Sequence, residues 1–181
     1  MNRMHVKYQE SVKPQMNKEF GYKNVHQIPR ISKIVVNAGI GRATADTKHL
    51  EHAVGTLRRI TGQEPVRTIA KKSVASFKLR EGNKIGAMVT LRGQRMYDFV
   101  DRLVSVTLPR IRDFRGISAT AFDPQGNYSL GIADQTIFNE ISFEESMAVH
   151  SLQVNIVTTA KSAEEGKRLL ELMGFPFRRN K

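Results

Sequence analysis

The chain has 181 residues, 40% hydrophobic and 25% charged, with no cysteine or tryptophan. That length suits one folded domain or two small ones, and the apolar fraction excludes a basic disordered tail. Lys+Arg 29 against Asp+Glu 17 leaves a net charge of +12, which implies an anionic partner, either nucleic acid or a membrane surface.

The absence of cysteine excludes a disulfide framework, a thiolate metal site and a cysteine nucleophile, and fits a reducing cytosol. The opening MNRMHVKYQESVKP lacks an apolar signal core, and no apolar run approaches ~18 residues, so a soluble cytoplasmic protein is expected. The charge is also uneven. No Lys or Arg occurs from Gly116 to Ala160, where Asp123, Asp134, Glu140, Glu144 and Glu145 are found.

In chain order, Met4, Tyr8, Val12, Met16 and Phe20 recur every four residues and predict amphipathic helix, interrupted or kinked at Pro14. KIVVNAGIG then reads as a strand, with Ile34, Val36, Ala38 and Ile40 on one face and Val35, Asn37 and Gly39 on the other. Asp46 to Thr61 predicts a helix burying Leu50, Ala53, Val54, Leu57 and Ile60, with Gly62 as its cap. A short strand follows around Pro65–Ile69.

From Ala70 to Gly93 the chain reads AKKSVASFKLREGNKIGAMVTLRG. Its first half is an exposed arm with Lys71, Lys72, Lys78, Arg80 and Lys84 against the single acid Glu81. Its second half is a strand with Ile85, Ala87, Val89 and Leu91 opposite Gly86, Met88, Thr90 and Arg92.

Gly93 opens a further helix that turns Met96, Phe99, Val100, Leu103 and Thr107 inward and ends near Pro109. RIRDFRG, with Arg110, Arg112 and Arg115, is too cationic a loop to be buried. Asp123-Pro124-Gln125-Gly126 is a type I turn, Tyr128–Ile132 a strand, and residues 134–149 irregular. Ser151–Thr159 alternates again, and Ser162 to Glu165 is a capping box for a last helix with Gly166, Leu170 and Met173 inward, stopping at Gly174. The expected fold is α+β, an antiparallel-rich sheet with helices on one face and an open polar face bearing Asn37, Thr90, Arg92, Gln153 and Asn155.

Enzyme signatures are thin. Gly39-Ile40-Gly41 lacks the third glycine of a dinucleotide fingerprint, since position 44 is threonine, so a tight turn is the better reading. His49 and His52 lie one helical turn apart, but with no further ligand nearby they read as solvated surface histidines. His5, His26 and His150 show no partner, and no carboxylate pair stands out. No catalytic residue, metal or cofactor is expected. The arm, the second basic loop and the polar strand face instead suit phosphates and sugars, and the lack of aromatics on that face favours folded RNA over single strands. A free RNA chaperone or regulator and a metal-dependent nuclease are the other classes open to such a chain.

The blocks FGYKNVHQIPRISKIVVNAGIG, RRITGQEPVRTIAKKSVASFKLREG, IGAMVTLRGQRMYDFVDRLVSVTLPRIRDFRG, FDPQGNYSLGI and NIVTTAKSAEEGKRLLELMGFPFR carry a specific resemblance. In content and order they resemble the family of the bacterial-type large-subunit ribosomal protein five, over roughly residues 3 to 177. The resemblance implies one ribosomal-protein domain over 1–181, with sequence halves at about 24–80 and 84–177. It also implies a structural role in the large subunit, attaching 5S rRNA to large-subunit rRNA in the central protuberance beside other 5S-binding proteins. It assigns 5S rRNA contacts to Asn37, Gln63, Thr90 and Arg92. A loop toward P-site tRNA falls on Lys71, Lys72, Ser73, Lys78, Arg80 and Lys84. Further rRNA contacts, or a bridge to a small-subunit head protein, fall on Arg110, Arg112, Arg115, Glu144 and Glu145. Lys84 and Asn139 stand where the family usually has proline, and Val149-His150-Ser151 replaces its usual basic Arg-Gly pair.

Overall fold

In the computed structural model, which describes residues 2–41, 47–141 and 149–178, the chain opens with helix. Helix α1 covers Arg3–Lys7, a π-turn covers Tyr8–Val12, and α2 covers Lys13–Phe20. The interruption predicted at Pro14 takes the form of that π-turn. The Lys13 amide donates to Tyr8 O five residues back, which widens the turn just where a proline ring would crowd it. The extra residue also accounts for the period of four. In a regular helix, fourth neighbours drift about 40° per step, yet Met4, Tyr8, Val12 and Met16 are all buried.

Strand β1 (Ile31–Gly39) leads to helix α3 (Lys48–Thr61), β2 (Val66–Ile69) and β3 (Lys84–Leu91). The expected helix start at Asp46 lies outside the described residues. Helix α4 (Gly93–Arg102) continues through a π-turn at Leu103–Thr107 and a 3-10 turn at Leu108–Arg110. Strands β4 (Tyr128–Ile132) and β5 (Leu152–Thr158) precede helix α5 (Ala163–Met173). The five strands form one antiparallel sheet in the order β2-β3-β1-β5-β4, so the α+β class read from the sequence holds.

The chain divides into two units. One comprises Met1–Ile34, Leu91–Leu130 and Asn155–Lys181. Its interior holds Met16, Phe99, Leu103, Leu108, Tyr128 and Ile156, all fully buried. The other comprises Val35–Thr90 and Gly131–Val154. Here the α3 stripe of Leu50, Ala53, Val54, Leu57 and Ile60 is buried, as are Val36, Ala38, Ala87 and Val89 of the strands. Each fully buried leucine or isoleucine contributes about 1.5–3 kcal/mol, so these stripes and alternations, more than helix or strand propensity, hold the elements in place.

In the first unit a two-pronged ion pair ties α2 to α5. Arg168 donates from Nε and Nη2 to both carboxylate oxygens of Glu19, each at 2.6 Å. The guanidinium's hydrogen bonds hold Glu19 down from 4.5 to about 2. A folded value below the unfolded one means that the pair's stabilisation is complete above the ordinary carboxylate range and is lost as pH falls toward about 2. An NMR titration of the Glu19 carboxyl is expected to give a midpoint near 2 in the native chain and near 4.5 in Arg168→Ala. A native midpoint near 4.5 would show that the pair does not form in solution.

Candidate nucleic-acid interface

Helix α3 ends because Gly62 adopts a left-handed conformation, φ 66°, with its amide on Arg58 O. The chain then reverses, and Thr61 ties down the turn. Its hydroxyl donates to Leu57 O at 2.6 Å and accepts from the Gln63 amide at 3.3 Å. Gln63 is thereby delivered, half-buried, to the end of β3, where its Nε2 donates to Thr90 O at 3.3 Å. The side chain is pre-oriented, and among the described residues its Oε1 has no partner and is open as an acceptor.

Alternation along β1 and β3 does the rest. Asn37 and Thr90 are half-buried on the side away from the buried Val36, Ala38, Val89 and Leu91. Among the described residues the Asn37 amide has no protein partner. The two strands are neighbours in the sheet, joined at one end by the Ile40 amide donating to Ile85 O at 2.9 Å. Arg92 continues the extended backbone at φ −141°, is exposed, and serves as N-cap of α4 in the other unit.

Close strand packing beside Asn37 requires glycine at position 86, which is buried. A Cβ added to Gly86 would lie 2.7 Å from Ala38 O and 2.8 Å from Thr68 Oγ1, so only glycine fits there. Gly39 is open, with nothing among the described residues within 4 Å of an added Cβ. Two apolar side chains join this surface, Val66 and the Met88 that the alternation of β3 already placed on this side. Val66 of β2 pairs directly with Met88 of β3, and they are 62% and 37% exposed.

The arm between β2 and β3 is an ordered loop. At its base the Ala70 amide donates to Asn83 O and the Gly82 amide to Ala70 O. Farther out, Val74 and Leu79 exchange amide-to-carbonyl bonds of 2.9 and 3.1 Å, and Ser73 Oγ accepts from the Glu81 amide at 2.9 Å. A 3-10 turn at Ala75–Phe77 makes the tip, and Lys78 leaves it at φ 51°. Ser73 is therefore a structural clasp in this loop. Lys71, Lys72, Lys78, Arg80 and Lys84 are all exposed.

Charge pairing separates the cations of this unit. Arg67 is engaged by Glu51, and Arg58 by Glu64. Hydrogen bonds from the arginines hold both glutamates below the ordinary range. Among the described residues, Lys71, Lys72, Lys78 and Arg80 have no such carboxylate. They remain available to phosphate.

In the other unit the RIRDFRG loop follows the 3-10 turn, with Arg110, Arg112 and Arg115 exposed. Its one internal pair, Arg112 to Asp113 at 3.8 Å, joins two almost fully exposed side chains and contributes little. Glu144 and Glu145 lie outside the described residues. His150, expected to be without a partner, sets its ring edge-to-face against that of His52 at 5.8 Å, and the half-buried His52 is not the solvated surface histidine expected. Among the described residues no three His, Cys, Asp or Glu side chains are grouped to hold a metal. No helix there is long and apolar enough to cross a membrane.

A family model described as Ribosomal protein L5 matches residues 24–80, and a second model, for the C-terminus of the same ribosomal protein family, matches residues 84–177. The chain belongs to the ribosomal protein L5 family. Among its relatives is the large ribosomal subunit protein uL5 of Desulfatibacillum aliphaticivorans, 56% identical over 99% of this chain and 100% of the relative. That of Heliobacterium modesticaldum is 56% identical over 98% and 99%. The Microcystis aeruginosa protein is 52% identical over 97% and 98%. The family resemblance carried by the sequence blocks is thus correct, and with it a non-enzymatic, RNA-binding ribosomal protein.

Proposed function

We propose that this chain, as a structural constituent of the large ribosomal subunit, holds 5S rRNA on the face carrying Asn37, Gln63 and Thr90, helped by Arg92, and so links it to large-subunit rRNA. The observation that carries this reading is the pre-set amide of Gln63. Fixed through Nε2 to Thr90 O, it offers Oε1 to an RNA donor without first losing rotamer freedom. The Asn37 amide and the Thr90 hydroxyl add both donors and acceptors at the same face. Groups of this kind suit the 2′-hydroxyls and base edges of a wide, shallow RNA minor groove, and the exposed Gly39 lets a backbone approach closely. Affinity then comes from cations neutralising phosphates, and register from the amides.

The arm is assigned a separate task, contact with P-site tRNA through Lys71, Lys72, Lys78, Arg80 and Lys84. Lys71→Ala with Lys72→Ala is expected to leave 5S rRNA binding nearly intact while P-site tRNA dissociates faster from ribosomes carrying the variant. Loss of 5S rRNA binding in that variant would place the arm on the wrong RNA. The cation-free stretch is assigned to a basic small-subunit head protein. Cross-links from residues 134–146 that never reach the small subunit would remove that assignment.

A further inference from the structure

We propose that Phe77 stacks on an exposed nucleobase, or on the open face of a base pair that ends a stack, in the RNA met by the basic arm. This rests on the reading of the arm given above and adds the residue that would make the contact specific in geometry.

Phe77 is 72% exposed, more than any other large apolar side chain among the described residues. It is held there by the loop itself. The Phe77 amide donates to Val74 O, the Lys78 amide donates to Ala75 O, and the Val74–Leu79 pair closes the turn beneath them. Lys78 sits at φ 51°, a left-handed conformation that a lysine adopts only where its surroundings impose it. The backbone thus presents the ring to solvent at a fixed tip, where it gains none of the burial that phenylalanine ordinarily provides.

An exposed ring could enter an apolar protein pocket, a lipid surface or a stack of bases. Its neighbours favour the last. Lys71, Lys72, Lys78 and Arg80 are exposed and have no carboxylate partner among the described residues, and Glu81 is the one acid from Lys71 to Lys84. An apolar pocket has no use for four cations without carboxylate partners among the described residues, and Phe77 with the less exposed Val74 and Ile69 gives little depth in a lipid surface. A base framed by its own phosphates uses both. The ring takes the π-face while the cations take the backbone, as in the stacking platforms of RNA-binding proteins. Because only the phosphate contacts release counterions, the two contributions differ in their dependence on salt.

The test uses ribosomes assembled with the full-length variant chain, with P-site tRNA dissociation followed from low to moderate salt. Phe77→Ala is expected to accelerate dissociation about five- to tenfold at every salt concentration, without changing the salt slope. Phe77→Trp should retain the native rate, and Phe77→Leu, apolar but without a π-face, should behave like alanine. Lys71→Ala with Lys72→Ala should lower the salt slope by about one or two. A native rate in Phe77→Ala alongside weakened binding in the lysine variant overturns the stacking role and leaves the arm's assignment standing. Full retention by Phe77→Leu overturns it in favour of an apolar protein pocket. If neither variant alters tRNA retention, the arm's assignment to tRNA fails and the stacking fails with it.

Discussion

Replacing Asn37 and Gln63 together by alanine is expected to weaken 5S rRNA binding by about 2–6 kcal/mol, roughly thirtyfold or more, with little loss of fold. Each substitution leaves an RNA donor or acceptor without its partner in a desolvated interface, at about 1–3 kcal/mol apiece. The cost to the folded chain is much smaller. The Asn37 side chain has no hydrogen-bond partner among the described residues, and Gln63 loses one hydrogen bond to Thr90 O, worth about 1 kcal/mol. Filter binding and a thermal melt of the same preparation separate the two effects. A large fall in melting temperature together with unchanged affinity would show that these amides serve the fold and not the RNA.

The largest loss of stability is expected from Gly166→Ala, far in sequence from any residue assigned to RNA. The new Cβ would press into Gly126 O and lie 2.7 Å from Gly126 Cα, so the obstacle is backbone rather than a side chain that could turn aside. Gly126 cannot give way easily. Its oxygen accepts from Thr158 Oγ1 at 2.9 Å, its amide donates to Asp123 O, and its φ of 79° requires glycine. Asp123 braces the turn further by accepting from the Gln125 and Asn127 amides. Overpacking of this kind costs about 3 kcal/mol, which lowers the melting temperature by about 6–12 °C in a chain of this size. A melt within a degree of the native chain would mean that α5 slides on the turn without resistance.

The sequence carried most of the architecture because the buried faces follow simple periods. The alternation of Ile34, Val36 and Ala38, and the stripe from Leu50 to Ile60, can be recognised one residue at a time and need no knowledge of neighbours. The capping residues are equally local. Ser162 accepts from the Glu165 amide as the motif predicts, and Gly62 and Gly174 end their helices in left-handed conformations.

What escaped the sequence depends on distant partners or on exposure. Gly166 was legible as an inward position, but its need to be glycine comes from the loop at Gly126. The contact between His52 and His150 joins residues remote in sequence. Phe77 resembles any core phenylalanine until the loop geometry places it in solvent. For the interface, the four residues singled out for 5S rRNA rest on family resemblance; the structure adds a physical reason for Gln63, whose orientation the turn after α3 prepares.

The central claim, that the face with Asn37, Gln63 and Thr90 holds 5S rRNA, is tested most directly by a gel-shift titration of the full chain with 5S rRNA. The native chain should form a discrete complex that survives excess unrelated structured RNA. The variant carrying Asn37→Ala and Gln63→Ala should not form it under the same conditions. Equal shifts by native and variant chains, or displacement of 5S rRNA by the unrelated competitor, would contradict the account.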